Sequence, residues 1–227
     1  MARHAKSHFE DLAISFVNLE SSLDAEGLPP QPICGLGQPL SPPGASLEYL
    51  TAVCAHTVGS ANNHGYNFGD VGTERMRRAI SQRGMILLGA ARSLRDPLDI
   101  FVWQGSGNIR VGFWPAAKTT SDPSTRKSAG VGPATIDRAS QALAAMKDQG
   151  ARSCIALLQA GCMRTNRLEP EDARLVDRLA KRGFDILTAS HSHQWIELYR
   201  GSRKNCFHLL LEPRDFGFRH RHFSARK

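Results

Sequence analysis

Apolar and polar positions along this 227-residue chain change repeatedly between two periods. Short apolar runs are typical of buried strands, whereas apolar residues that recur every three or four positions are typical of helices with one buried face. The predicted strands cover residues 13–17, 50–55, 85–88, 99–104, 109–114, 153–158, 184–190, 195–199 and 206–211, and the predicted helices cover residues 71–83, 136–149 and 169–182. A helical turn that begins at residue 47 is predicted to lead into the strand at 50–55. This alternation predicts a mainly parallel α/β sheet with helices on both faces and one or two antiparallel strands added.

Glycine and proline interrupt the pattern in three places. Residues 105–108, with the sequence Gly-Ser-Gly-Asn, separate two apolar runs and predict a β-hairpin over residues 99–114. Residues 27–46 and 115–133 lack either period and predict two long loops. Loops of that length in a compact domain usually serve a function or move.

Two polar turns follow predicted strands and contain the candidate chemistry. Residues 61–64, with the sequence Ala-Asn-Asn-His, follow the run at 50–55, and residues 190–193, with the sequence Ser-His-Ser-His, end the run at 184–190. Side chains two positions apart in extended backbone point to the same side, so His191 and His193 can bind one metal ion. Because open α/β sheets place ligands at the carboxyl ends of their strands, we expect the two turns to lie close together.

Charge favours anionic partners. The chain has 29 Lys and Arg against 21 Asp and Glu, a formal net charge of +8. The positive residues are scattered, except in a basic tail at residues 219–227 that is interpreted as a solvated end of a single domain covering residues 1–218. No nucleic-acid partner is expected, because no basic-aromatic recognition module is present.

Cysteine usage predicts a reducing compartment, and hydropathy predicts no membrane-spanning segment or signal peptide. The five cysteines form no Cys-x-x-Cys pair, which predicts reduced thiols. No apolar run approaches the roughly 18 residues needed to cross a bilayer, and residues 1–12 lack the apolar core of a signal peptide. The sequence as written therefore predicts a cytoplasmic protein without a membrane segment.

Three motifs in order resemble a known family. Asn-Leu-Glu at residues 18–20, Ala-Asn-Asn-His at 61–64 with a following glycine at 69, and Ser-His-Ser-His at 190–193 resemble the CapA family of capsule and poly-gamma-glutamate biosynthesis proteins. That family is similar to the calcineurin-like metallophosphoesterases. The resemblance covers roughly residues 9–201 and implies an α/β/β/α sandwich, with mixed sheets flanked by helices, and metal-dependent hydrolysis of phosphoesters.

The resemblance also implies roles for five side chains, as metal ligands or a general acid, and two further side chains are predicted to contact the substrate. The implied ligands of a divalent manganese, iron or zinc ion are Glu20, Asn63, His191 and His193; the implied general acid is His64; the predicted substrate contacts are Asn62 and Gln159. Carboxylate, amide and imidazole ligands suit these metals, which activate a bound water, and a nearby histidine suits acid catalysis near neutral pH.

The sequence departs from the family pattern at several places, which argues against a two-metal centre. The family's first strand, ending in Gly-Asp, is missing, and its His-Trp-Gly-x-Glu element aligns with residues 159–163, Gln-Ala-Gly-Cys-Met. Asn67 stands where an aspartate is usual and Ala189 where a glycine is usual, and the family's Leu-Gly-Asn-Phe is not recognisable in residues 209–218. The expected site is therefore a depleted one.

Two functions remain open on this evidence. The first is a CapA-like, phosphoesterase-type hydrolase acting on an anionic substrate or polymer, either a phosphoester or polyglutamate. The second is a non-catalytic, degenerate or truncated accessory protein that works with other capsule-synthesis proteins. Structural roles also remain open: a hydrogen-bonded turn for His191 and His193, turn or cap formation for Asn62 and Asn63, and polar packing for Gln159. The Gln159 amide oxygen is also an alternative metal ligand. The resemblance implies that relatives are often membrane-anchored or exported.

Overall fold

A computed structural model describes residues 11–21, 23, 27–28, 43–91, 99–118, 130–162, 165 and 168–192. Within these ranges the strands are β1 (Phe16–Asn18), β2 (Thr57–Gly59), β3 (Ile86–Leu88), β4 (Ala90–Ala91), β5 (Phe101–Gln104), β6 (Arg110–Ala117), β7 (Gly130–Val131), β8 (Ser153–Gln159) and β9 (Ile186–Ser190). The helices are α1 (Pro43–Ala52), α2 (Gly69–Ser81), α3 (Ile136–Asp148) and α4 (Pro170–Arg182). Strands and helices alternate over most of the chain, as the sequence predicts.

The strands form two main sheets. The first sheet has the order β1-β2-β3, and both of its pairings are parallel. The second sheet has the order β5-β6-β8-β9, in which the β5–β6 hairpin is antiparallel and the other pairings are parallel. Strands β4 and β7 form a small antiparallel pair. One parallel sheet and one mixed sheet agree with the sandwich that the resemblance implies. The apolar pattern alone, in contrast, predicts a single sheet.

Helices α1 and α2 cover the first sheet. Leu47 and Leu50 of α1 and Met76 and Ile80 of α2 are buried in one cluster with Val58 of β2. Complete burial of an aliphatic side chain of this size contributes about 1.5–3 kcal/mol. The same spacing that predicts the amphipathic helix α2 therefore attaches it to the sheet.

Helices α3 and α4 cover the second sheet. Met146 of α3 and Leu179 of α4 are fully buried in one cluster, in which the rings of Trp114 and Phe184 stack with centroids 5.5 Å apart. A β-carbon on Gly112 of β6 would lie 2.6 Å from the Met146 sulfur, so α3 can approach the strand only over a glycine. Each sheet thus has its own helical cover and its own core.

The inner faces of the two sheets face each other. A cavity of about 170 Å³ lies between them, lined by Phe16 and Gly59 from the first sheet and by Leu158 and Ala189 from the second. With helices on the outer faces, the order of layers is α/β/β/α, as the resemblance implies.

One strand prediction is wrong. Residues 50–55 were predicted to form a strand, but Leu50 and Val53 lie with Leu47 on the buried face of α1. These three residues recur every third position, so they share a helix face, and Cys54 (φ 49°) turns the chain towards β2. Strand β2 is the middle strand of its sheet and is buried at all three positions, so it shows no polar alternation.

The other predictions inside the described ranges are confirmed, with shifted boundaries. Strand β1 begins three residues later than predicted, and the predicted loop at 115–133 loses its ends to β6 and β7. The hairpin, the three predicted helices and the strands at 85–88, 153–158 and 184–190 are present. The predicted strands at 195–199 and 206–211, the basic tail and most of the loop at 27–46 lie outside the described residues. Cys54, Cys154 and Cys162 are free thiols, as predicted.

None of the helices in the described ranges combines the length and apolar character that crossing a bilayer requires.

Candidate functional site

Polar segments from both sheets meet at the carboxyl ends of their strands. In the first sheet, β1 is followed by Glu20 and β2 by the turn at residues 60–64; in the second, β8 ends at Gln159 and β9 is followed by His191. Parallel strands end at the same edge of a sheet. Both polar turns therefore lie at one edge of the molecule, as the sequence predicts.

Asn62 fixes the turn after β2 to the end of β1. Its side chain is fully buried, and its Nδ2 donates to Asn18 Oδ1 at 3.0 Å and to the Leu19 carbonyl at 2.9 Å. Its Oδ1 accepts from the backbone N–H of His64 at 3.0 Å. These three bonds satisfy the buried Asn62 amide and hold the turn after β2 against the end of β1.

His64 is oriented by Asn67. The Asn67 amide nitrogen lies 2.9 Å from His64 Nδ1. An amide N–H₂ only donates, so His64 Nδ1 accepts in this orientation of the Asn67 amide. Among the described residues, the buried Asn67 Oδ1 has no hydrogen-bond partner. The next residue, Gly65, closes the turn: a β-carbon there would lie 1.8 Å from the Ser60 carbonyl oxygen.

Gln159 joins three of the predicted site residues. Its Nε2 lies 3.0 Å from Glu20 Oε1, 2.8 Å from Asn63 Oδ1 and 3.0 Å from His191 Nδ1. The Gln159 side chain is fully buried, and His191 is 8% exposed. Three acceptors therefore surround an amide nitrogen that has two hydrogens.

The other end of the Gln159 amide fixes its orientation. The Ser190 hydroxyl donates to Gln159 Oε1, and Asn18 Nδ2 donates to the Ser190 oxygen at 3.1 Å. The reversed amide would place its oxygen against the oxygens of Glu20 and Asn63, so the nitrogen faces these groups and His191. Through Asn18, the network is continuous from the Asn62 turn to the Gln159 cluster.

The backbone of His191 has a positive φ of 107°. Side chains with a β-carbon rarely adopt this region, and positions held there cost free energy and concentrate at functional sites. The preceding residue is held by a bond from the Ala160 N–H to the Ser190 carbonyl, at 3.1 Å. The end of β9 therefore keeps His191 in place at a local cost.

Charged groups beside the site are paired. Lys118, whose backbone N–H donates to the Gln159 carbonyl, forms ion pairs with Asp172 at 2.7 Å and Glu171 at 3.0 Å. Burial lowers the pKa of Lys118, but its hydrogen bonds to these carboxylates outweigh burial and raise the pKa above its ordinary value. Desolvation, together with the nearby Glu169 carboxylate, raises the pKa of the Cys162 thiol. Cys162 therefore stays protonated near neutral pH and does not supply a thiolate.

The arrangement does not fit a metal ion with the Gln159 amide in this orientation. Glu20, Asn63 and His191 offer a carboxylate oxygen, an amide oxygen and an imidazole nitrogen, which are suitable ligands for manganese, iron or zinc. The fourth group of the cluster is an N–H₂, which cannot bind a cation and instead donates to these atoms. Within the described part of the chain, no group of three or more His, Cys, Asp and Glu could hold a metal ion.

The structure brings most of the predicted site residues together. Glu20, Asn63, Gln159 and His191 form one cluster, Asn62 supports it, and His64 lies on the same turn. His193 lies outside the described residues. The ligand role of Glu20, Asn63, His191 and His193, the acid role of His64 and the substrate contacts of Asn62 and Gln159 stay predictions.

Two connecting residues were missed. Asn18 and Ser190 belong to the motifs that the sequence analysis singled out, but neither was given a role. Both stand at the last position of a strand that ends at the site, β1 for Asn18 and β9 for Ser190. That shared position is the signal that could have found them.

Comparison with protein families finds one match. The model of the family described as "Bacterial capsule synthesis protein PGA_cap" matches residues 1–205. Among curated proteins, none matches the sequence.

Solved structures show the fold. A candidate 5′-nucleotidase from Staphylococcus aureus is 16% identical with a TM-score of 0.50, over 73% of this chain and 34% of that one. A hypothetical protein from Thermus thermophilus is 12% identical with a TM-score of 0.52, over 92% of this chain and 68% of that one. The calcineurin-like phosphoesterase YfkN from Bacillus subtilis is 12% identical with a TM-score of 0.47, over 71% and 56%. The chain thus spans about a third of the Staphylococcus aureus protein.

Proposed function

The chain belongs to the bacterial capsule synthesis family and has a metallophosphoesterase-like fold, and from that premise we propose that it acts in capsule synthesis as a non-catalytic accessory protein. The observation that supports this proposal is the position of the Gln159 amide nitrogen. It lies within 3.0 Å of Glu20, Asn63 and His191, three of the residues that the sequence predicts as metal ligands. A cluster that is bonded in this way is organised without a cation.

The proposed partner is an anionic polymer or an enzyme that makes one. The formal net charge of +8 favours such partners, and polyglutamate is the polymer that the CapA resemblance implies. A phosphoester-containing polymer has the same sign of charge, so charge alone does not choose between them.

A hydrolysis assay tests the non-catalytic role. We expect the wild type and His64→Ala to hydrolyse bis(p-nitrophenyl) phosphate and p-nitrophenyl phosphate equally slowly in the presence of Mn²⁺ or Zn²⁺. His56→Ala is the matched control, because His56 precedes β2, at the opposite end of the first sheet. Its ring Nδ1 accepts from the Ser15 N–H at 3.2 Å, so circular dichroism should first show that this variant is folded at the assay temperature. A wild-type rate at least tenfold above that of His64→Ala, with His56→Ala unaffected, would contradict the proposal.

The second candidate function is a metal-dependent phosphoester hydrolase with a depleted site. One observation favours it: groups of the ligand type converge at the strand ends, and the turn that contributes Asn63 also contains His64, the implied general acid. Elemental analysis separates this candidate from the first. The hydrolase candidate predicts near-stoichiometric manganese, iron or zinc in the purified wild type, and loss of that metal in the His191→Ala/His193→Ala double variant.

A further inference from the structure

The Gln159 cluster has an excess of acceptors. Glu20 Oε1, Asn63 Oδ1 and His191 Nδ1 all lie 2.8–3.0 Å from one nitrogen. The two oxygens only accept, and buried acceptors repel one another unless a polarised hydrogen or a cation lies between them. The amide N–H₂ supplies two polarised hydrogens at this place.

The three distances from the Gln159 nitrogen are also those between neighbouring ligands of one ion, whereas the distance between Glu20 and His191 is longer. Two ligands at right angles around an ion with bonds of about 2.1 Å lie about 3 Å apart. The three distances from Gln159 Nε2 match this value, and the distance from Glu20 Oε1 to His191 Nδ1 is 3.9 Å. The amide nitrogen therefore stands where a fourth ligand would stand, but it has hydrogens in place of a lone pair.

The surroundings hold the amide in this orientation. Ser190 donates to Gln159 Oε1 and in turn accepts from Asn18. Rotation of the amide would break the Ser190 bond and would bring Oε1 against the oxygens of Glu20 and Asn63, unless a cation lay between them. The side chain is fully buried, so water does not compensate for the lost bonds.

We propose that the Gln159 amide closes this centre to divalent cations, because its two hydrogens lie among Glu20, Asn63 and His191. A single exchange of N–H₂ for oxygen, Gln159→Glu, then opens the centre to Mn²⁺. The variant places a second carboxylate at the same position and gives a shell of two carboxylates, one amide oxygen and one imidazole nitrogen. Manganese prefers oxygen-rich octahedral shells, so it is the suitable probe. The inference concerns the site of the proposed function but rests on these contacts alone.

Mn²⁺ titration, by calorimetry and by electron paramagnetic resonance of the free ion, tests the inference. We expect Gln159→Glu to bind one Mn²⁺ at least 100-fold more tightly than the wild type, and we expect Gln159→Glu/His191→Ala to lose most of that gain. Gln104→Glu is the matched control, because it makes the same chemical change at an exposed position of β5 and should leave Mn²⁺ binding as in the wild type. Equal affinities of Gln159→Glu and the wild type would overturn the inference.

Thermal unfolding gives a second readout that does not depend on activity. The melting temperature of Gln159→Glu should fall below that of the wild type in chelator and rise with added Mn²⁺, whereas that of the wild type should stay constant. If Gln159→Glu does not fold, the wild type still decides: one Mn²⁺ bound in the wild type and lost in His191→Ala would overturn the inference.

The outcomes are separable from those of the proposed function. Wild-type Mn²⁺ binding that depends on His191, without hydrolysis, would overturn this inference alone. Hydrolysis that depends on His64, without His191-dependent Mn²⁺ binding, would overturn the non-catalytic role alone.

Discussion

His64 is paired with Asn67 and His191 is paired with Gln159, and in both pairs an amide nitrogen lies 2.9–3.0 Å from the ring Nδ1. The surroundings differ. The Asn67 oxygen has no hydrogen-bond partner among the described residues, whereas the Gln159 oxygen accepts from Ser190 and the Gln159 nitrogen also contacts Glu20. The first amide orients one ring, whereas the second joins segments from both sheets.

This difference teaches that the same chemical pair can have a local or a global role. Asn67 is three residues from His64, so its bond stabilises one turn. Gln159 ends β8 and contacts groups that follow β1, β2 and β9. Removal of the second amide should therefore cost far more stability than removal of the first.

Replacement of each amide by leucine tests this comparison directly. Gln159→Leu removes the donor to three acceptors and leaves them desolvated, so the free energy of unfolding should fall by about 3 kcal/mol. Asn67→Leu removes one hydrogen bond but also an oxygen without a partner, so the loss should be about 1 kcal/mol or less. Urea denaturation monitored by circular dichroism gives both values. Equal losses would show that the two pairs have equivalent roles.

The next largest loss of stability is expected at Asn62, which connects the two pairs. Asn62→Ala removes the buried amide that bonds Asn18, Leu19 and His64, and it should cost about 2 kcal/mol. The double variant Asn62→Ala/Asn18→Ala should lose less than the sum of the two single losses, because the two side chains share a bond. Denaturation of all four proteins measures this coupling, and strict additivity would contradict a continuous network.

The smallest expected effect comes from backbone conformation. Glycine in place of alanine should raise the stability at position 191 and lower it at position 64. Because His191 has a positive φ, His191→Gly should be more stable than His191→Ala by about 1 kcal/mol. His64 is not among the described residues with positive φ, so His64→Gly should be less stable than His64→Ala by about 0.5–1 kcal/mol. Thermal and urea unfolding of the four variants check the sign. The same sign at both positions would contradict this prediction.

Much of the architecture could be predicted because each helix has one apolar face and each strand of the second sheet forms a distinct apolar run. The strand predicted at residues 50–55 was wrong because a short, mostly apolar run is typical of a buried strand and of a buried helix segment alike. The helix that begins before Leu47 continues through this run and buries Leu50 and Val53 beside Leu47. The division into two sheets depends on pairing between distant strands, which apolar periodicity does not specify.

The site was predicted by motif, but its bonding was not. Glu20, Asn63 and His191 were selected as ligands and do converge. Gln159 was given a substrate contact, with polar packing or an amide oxygen offered to a metal as the alternatives. The direction of an amide depends on the atoms on both of its sides. In this protein those atoms belong to Ser190 and to three other segments, and no local pattern contains them.

The closure of the site by distant segments has a consequence for the order of folding. The Asn18–Ser190 bond joins residues 172 positions apart, and the Gln159–Glu20 bond joins residues 139 positions apart. Contacts across such long stretches of chain form slowly, because much loop entropy must be lost before they stabilise anything. Each sheet can collapse on its own helices first, so the site should be the last part of the native structure to form and the first to open.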